Sequence, residues 1–156
     1  MKQTIKSSLR TDTSQNTLSI ALLLLRVAMG GMMLTHGLGK LTMLFGNDPI
    51  AFPDPLGIGL TASLALAVFA EVVCSIFLIF GLATRFSAII LVVTMLIAAF
   101  IVHGEDDFGR KELALLYLLN YVVIAKVGAG KYSIDNWLNK KERLNNLKNN
   151  GVGANI

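Results

Sequence analysis

Two residues of opposite charge, Arg26 and Glu71, stand inside long apolar runs, LSIALLLLRVAMGGMMLT and GLTASLALAVFAEVVCSIFLIF. A lone charge near a bilayer centre costs something like 2.5–3.5 kcal/mol unless it is paired. At 1.5 Å per helical residue, Arg26 lies roughly 12 Å above the Leu18 edge of its run, and Glu71 roughly 15 Å above the Gly81 edge. The two are therefore expected to face each other as a charge-assisted pair. Such a pair either pins helix register or makes Glu71 a proton-carrying or ligand-binding acid tuned by Arg26. A second polar set gathers at the other end of the runs. His36 and Lys40 are one turn apart, His103 closes a later apolar run, and Glu112 opens the last one. Two imidazoles, an ammonium and a carboxylate at one membrane face could hold a quinone headgroup by hydrogen bonds or relay protons. Asn120 and Ser75 add polar side chains at mid-membrane depth. Two histidines on different helices make no metal ligand set. By residue type His36 and His103 could ligate a haem, but both stand at the membrane edge and no other haem cue accompanies them. No nucleophile–base motif, phosphate loop or dinucleotide fingerprint is present, and Cys74 stands alone without a CxxC.

The elements that must position these residues follow from the composition. Of 156 residues 54% are hydrophobic and only 15% charged, outside the soluble balance. The excess lies in blocks: Leu18 to Thr35 with one charge, Gly59 to Phe80 with one, Phe86 to Val102 with none, and Leu113 to Val127 with Lys126 able to snorkel. A soluble bundle keeps a polar face on each helix, whereas FSAIILVVTMLIAAFIV is apolar all round. The expected fold is all-α, an integral membrane four-helix bundle with spans near 18–36, 59–80, 86–103 and 112–127. The first run follows a polar stretch and lacks a small-x-small cleavage site, so it is expected to stay in the membrane.

Lys2, Lys6, Arg10, Arg85, Lys131, Lys140, Lys141, Arg143 and Lys148 fall on the side of the termini, against Lys40, Arg110 and Lys111 on the other. The positive-inside rule places both termini in the cytoplasm. The basic balance is thus a topology signal, and nucleic acid is not an expected partner. Residues 1–17 are expected to form a flexible cytoplasmic tail, 18–130 the membrane domain, 131–148 a basic helix lying on the inner leaflet or in solvent, and 149–156 a disordered tail. The first outer loop holds all three prolines together with Leu41, Met43, Leu44, Phe45, Ile50 and Phe52, so it is expected to pack onto the membrane surface or between helices.

The segments RVAMGGMMLTHGLGKL, AVFAEVV, GLATRFSA, ELALLYLL and GAGKYSID, in this order from about Leu18 to Asp135, resemble the DoxX family of small bacterial inner-membrane proteins. Arg26, His36, Gly37, Lys40, Glu71, Gly81, Arg85 and Gly128 are the positions that match the family pattern. The resemblance implies a four-helix membrane protein. It also implies a redox connection, since the family takes its name from a membrane component associated with thiosulfate:quinone oxidoreductase, and relatives are linked to oxidative-stress complexes or aromatic degradation. The expected function is a membrane subunit of a quinone-linked redox system, with a quinone or small-molecule site near the outer surface and protein partners, or a homo-oligomer, in the bilayer. With no redox centre of its own, the chain is expected to act as an oxidoreductase subunit rather than a free-standing enzyme. Alternatives are a structural or assembly scaffold and a small transporter or proton pathway.

Overall fold

A computed structural model describes residues 14–151. Of the expected tails, residues 1–13 and 152–156 lie outside the described residues, while residues 15–17 and 149–151 are helical. Among the described residues the fold is all-helical, with five helices and no strand.

Helix α1, Gln15–Phe45, begins where the Ser14 hydroxyl accepts the Thr17 N–H at 3.2 Å, an ordinary N-cap. It does not end near His36 as expected. Gly37 is buried against α2, where an added Cβ would lie 2.8 Å from Val72 and 2.9 Å from the Glu71 backbone, so this glycine serves close packing and the helix runs on. Helix α2, Leu60–Phe80, is capped by the loop carboxylate of Asp54, which accepts from Ile58 N–H (3.1 Å), Gly59 N–H (2.8 Å) and the Ser63 hydroxyl (2.6 Å). Its middle widens into a π-helical turn over Phe69–Cys74. It stops at Gly81, whose φ of 67° allows N–H bonds from Gly81 to Leu78 and from Leu82 to Phe77, a Schellman end.

Helix α3, Thr84–Val102, follows at once, so α2 and α3 are antiparallel neighbours. It ends in a π-helical turn of its own, Ala98–Val102. Helix α4, Phe108–Val127, starts one turn earlier than expected, and α5, Ile134–Gly151, follows the Gly128–Gly130 break. One core draws on α1 to α4 together: Met29 and Met33, Cys74 and Leu78, Leu91 and Met95, Tyr117, Tyr121 and Ile124. A second cluster, Leu64, Val68 and Val72, is covered by Leu34, Leu41 and Met43 of α1 and by Ile50 and Phe52 of the loop. Outside, Leu24, Phe80, Phe86, Phe100 and Leu119 are each more than half exposed, a belt of bare apolar surface that requires lipid as its solvent. Helices α1, α2 and α3 are long and apolar enough to cross a membrane. Helix α4 does not meet the same measure, because Arg110, Lys111 and Glu112 occupy its first turns and Lys126 its last.

Candidate functional site at the loop end of the helices

The expected Arg26–Glu71 pair is not formed. Arg26 is fully buried at the end of the helices nearest the termini, where Nη2 donates to the Tyr132 carbonyl (2.5 Å) and Nη1 to that of Leu78 (3.4 Å). A Cβ at Gly81 would collide with this guanidinium, so the last turn of α2 sits level with Arg26. The depth count assumed that α1 and α2 end in one plane. In fact α1 begins eleven residues, about three turns, before Arg26, and the chain after α4 folds over the shorter α2. There the Gly81 carbonyl accepts from Asp135 N–H (2.9 Å), while the Asp135 carboxylate accepts from Ala83 and Thr84 N–H at 2.8 and 2.9 Å. A wide cleft of about 700 Å³ lies at this end, between the start of α3 and α5; the Asp135 carboxylate and the Ser133 hydroxyl on its wall are engaged, whereas the buried Thr84 hydroxyl has no partner among the described residues.

Glu71 takes Lys40 as its partner through Oε1. The Lys40 ammonium also lies 5.6 Å from the centre of the Phe52 ring, a cation–π distance. Lys40 reaches Glu71 because Gly37, one turn before it on α1, lets the backbones of α1 and α2 close at the level of Glu71. The Glu71 side chain is 4% exposed, and its Oε2 has no partner among the described residues. Leaving a charged acceptor buried and unpaired costs about 1–3 kcal/mol or more.

Two cavities meet at this carboxylate. The smaller, about 230 Å³, is lined by His36, Lys40, Glu71, His103, Arg110 and Tyr117, with Met33, Met95 and Ala114 beneath. The larger, about 560 Å³, is an apolar slot between α2 and α3 under the prolines of the loop, and it shares Lys40, Glu71, Ala98 and His103 with the first. Both π-helical turns border the slot, one carrying Glu71 and the other leading into His103. His103 pairs through Nδ1 with Asp106 at 2.8 Å. That bond, with Arg110 nearby, holds the Asp106 carboxyl below the usual carboxylate range.

Of the four residues expected at this end, His36, Lys40 and His103 line the cavity and Glu112 does not. Glu112 is exposed. It lies two residues from both Arg110 and Ala114, about 200° round the helix from the inward face. The other two mid-membrane polar residues lie elsewhere. Asn120 donates to its own helix at Leu116 (2.8 Å), and Ser75 is buried beside Gly30. Unforeseen members of the site are Tyr117, whose ring meets that of His36 edge-on at 6.0 Å and stacks with Tyr121 at 5.9 Å, along with Phe52, Asp106 and Arg110. The spacing Arg110, Ala114, Tyr117, Tyr121 marks one helical face and was readable as such. Among the described residues no group of three or more His, Cys, Asp or Glu side chains is placed to hold a metal ion.

The geometry therefore offers a buried carboxylate with one free oxygen, an ammonium, two imidazoles and a phenol around the polar end of an apolar slot. Such an arrangement orients an amphipathic ring by its polar edge. Residues 21–104 match the DoxX family. An uncharacterized protein of Haemophilus influenzae is 36% identical over 75% of this chain and 90% of its own length. The "Inner membrane protein YqjF" of Escherichia coli is 29% identical over 78% of this chain and 95% of its own, and the "Putative oxidoreductase CatD" of Bacillus subtilis 31% over 82% and 94%. No solved structure matches. On the family match and these relatives, the chain belongs to the DoxX family of membrane proteins.

Proposed function

We propose that this protein is a membrane subunit of a quinone-linked redox system, holding a quinone or similar small molecule where the two cavities meet. The carrying observation is the convergence of His36, Lys40, Glu71, His103 and Tyr117 on the smaller cavity, which joins the polar end of an apolar slot at Lys40, Glu71 and His103. Imidazole and ammonium donors suit the carbonyl oxygens of a quinone ring, and histidine can pass the protons that quinone reduction requires. The names of the Escherichia coli and Bacillus subtilis relatives, "Inner membrane protein YqjF" and "Putative oxidoreductase CatD", support this setting for the chain. In it, α4 completes a four-helix transmembrane bundle, with Lys126 snorkelling to the headgroups. Both termini are cytoplasmic, and the basic face of α5 rests on the anionic inner leaflet. Partner proteins supply the electrons, while the residues around the two cavities bind and orient the ring.

Purification in native lipid, followed by mass spectrometry for bound quinone and co-purifying subunits, tests the reading. Quinone is expected at close to one per chain, falling about tenfold in a folded His36→Ala/His103→Ala variant. Unchanged quinone content and an unchanged cellular redox phenotype in that variant would falsify the assignment.

A further inference from the structure

The slot between α2 and α3 is apolar on every side but one. Phe52, Pro53 and Pro55 roof it, and Leu66, Phe69, Ile89 and Val93, all more than two-fifths exposed, flank it where it opens sideways between the two helices. Its other polar side chains are engaged: the Ser63 hydroxyl with Asp54 (2.6 Å), the Thr94 hydroxyl with the Ile90 carbonyl (2.9 Å) and His103 with Asp106. Among the residues that line the slot, Glu71 is the one with a buried side-chain polar atom, Oε2, that has no partner among the described residues.

An unpaired carboxylate oxygen accepts and cannot donate, so it calls for an O–H or N–H. An oxidised quinone ring brings only carbonyl oxygens and would set lone pairs against lone pairs at Oε2. A phenolic hydroxyl supplies the missing proton donor, while its ring and an alkyl tail match the walls. The volume, about 560 Å³, lies in the range of sites that enclose such molecules.

We infer that the slot binds a lipid-borne aromatic alcohol, a phenol or hydroquinone with an apolar tail, which donates its O–H to Glu71 Oε2 and extends its tail between α2 and α3 into the bilayer. This rests on the ligand-site reading above and narrows it to the reduced, hydroxyl-bearing form.

The test uses the full chain in lipid nanodiscs, titrated anaerobically in a calorimeter with a decyl-substituted hydroquinone, its bis-methyl ether and the matching benzoquinone. The hydroquinone is expected to bind about tenfold or more tighter than either of the others, as loss of a hydrogen bond to a charged group implies. Glu71→Gln should shrink that preference to about threefold or less. Ala67→Trp, which fills the slot and leaves the Glu71–Lys40 pair intact, should abolish binding without lowering the unfolding temperature. Equal binding of hydroquinone and ether overturns the inference, as does full binding in Ala67→Trp, or no binding of any probe. Should benzoquinone bind as tightly as hydroquinone and depend on His36 and His103 rather than Glu71, the inference falls while the quinone-site reading stands. Quinone retained from native lipid decides that reading separately.

Discussion

At Lys40, one ammonium does two jobs, neutralising Glu71 and lying against the Phe52 ring. Replacing it with an apolar side chain of similar length leaves a buried carboxylate with neither oxygen paired. Lys40→Met is expected to destabilise the fold by about 1–3 kcal/mol, measured by reversible denaturation in mixed micelles. The double variant Lys40→Met/Glu71→Leu should recover most of the loss, because the stranded charge has gone. No recovery would mean that the two side chains are not coupled. Arg26 behaves differently, since its acceptors are backbone carbonyls that no substitution removes. Residue types were legible at this scale: both intramembrane charges, both histidines and Lys40 stand out against apolar neighbours. Which charge meets which was not legible. Depth along a helix follows from counting, but the offset between two helices is set by side-chain packing at Gly30, Gly37 and Gly81.

Among the elements, α1 and α2 are held together by a glycine seam. At Gly30 an added Cβ would lie 2.6 Å from Ile79, and at Gly37 2.8 Å from Val72. Gly37→Leu should separate the helices at the level of Glu71, destabilising by about 1–3 kcal/mol and breaking the Lys40 contact, with quinone affinity falling alongside. An Ala at Gly31, where nothing lies near, should be neutral. The loop cap of α2 carries a pH signature. Asp54 is held below its usual carboxylate range, chiefly by the Ser63 hydroxyl and then by the Gly59 N–H. A lowered folded value means that the cap is fully present above the ordinary carboxylate range and is lost as pH falls through the lowered one. Amide exchange at residues 58–63, corrected for intrinsic rates, should accelerate in that acid window. Asp54→Asn should exchange faster at neutral pH and lose the pH dependence. The blocks of apolar sequence located α2 and α3 closely, but α1 ran nine residues past its expected end and the start of α4 was hidden, because a first turn written FGRKE reads as loop until its inward face is counted from Arg110.

Taken whole, the molecule differs between its two ends. The loop end holds the two cavities that meet at Glu71, while at the other Arg26, Gly81, Tyr132 and Asp135 close the end of α2 beside the wide cleft between α3 and α5. In the proposed orientation, Asp48→Cys should react with an impermeant maleimide in cells whose outer barrier is permeabilised, and Asn139→Cys only after lysis. Cys74 is buried and stays silent in either case. The reverse labelling pattern would invert the topology and put the cavities on the cytoplasmic side. Architecture was legible because hydrocarbon demands unbroken apolar runs. The closed end was not, for there side chains meet backbone groups that lie more than fifty residues away in sequence.

That closure also sets an order of synthesis. Arg26 leaves the ribosome early, whereas the nearer of its two acceptors, the Tyr132 carbonyl, is made 106 residues later. Until then the nascent protein carries a guanidinium in its first membrane segment with no lasting acceptor from the C-terminal strap. Maturation therefore waits for the strap after α4, and a chain cut short before Tyr132 should be recognised by membrane quality control as unfinished even though its first three spans are complete.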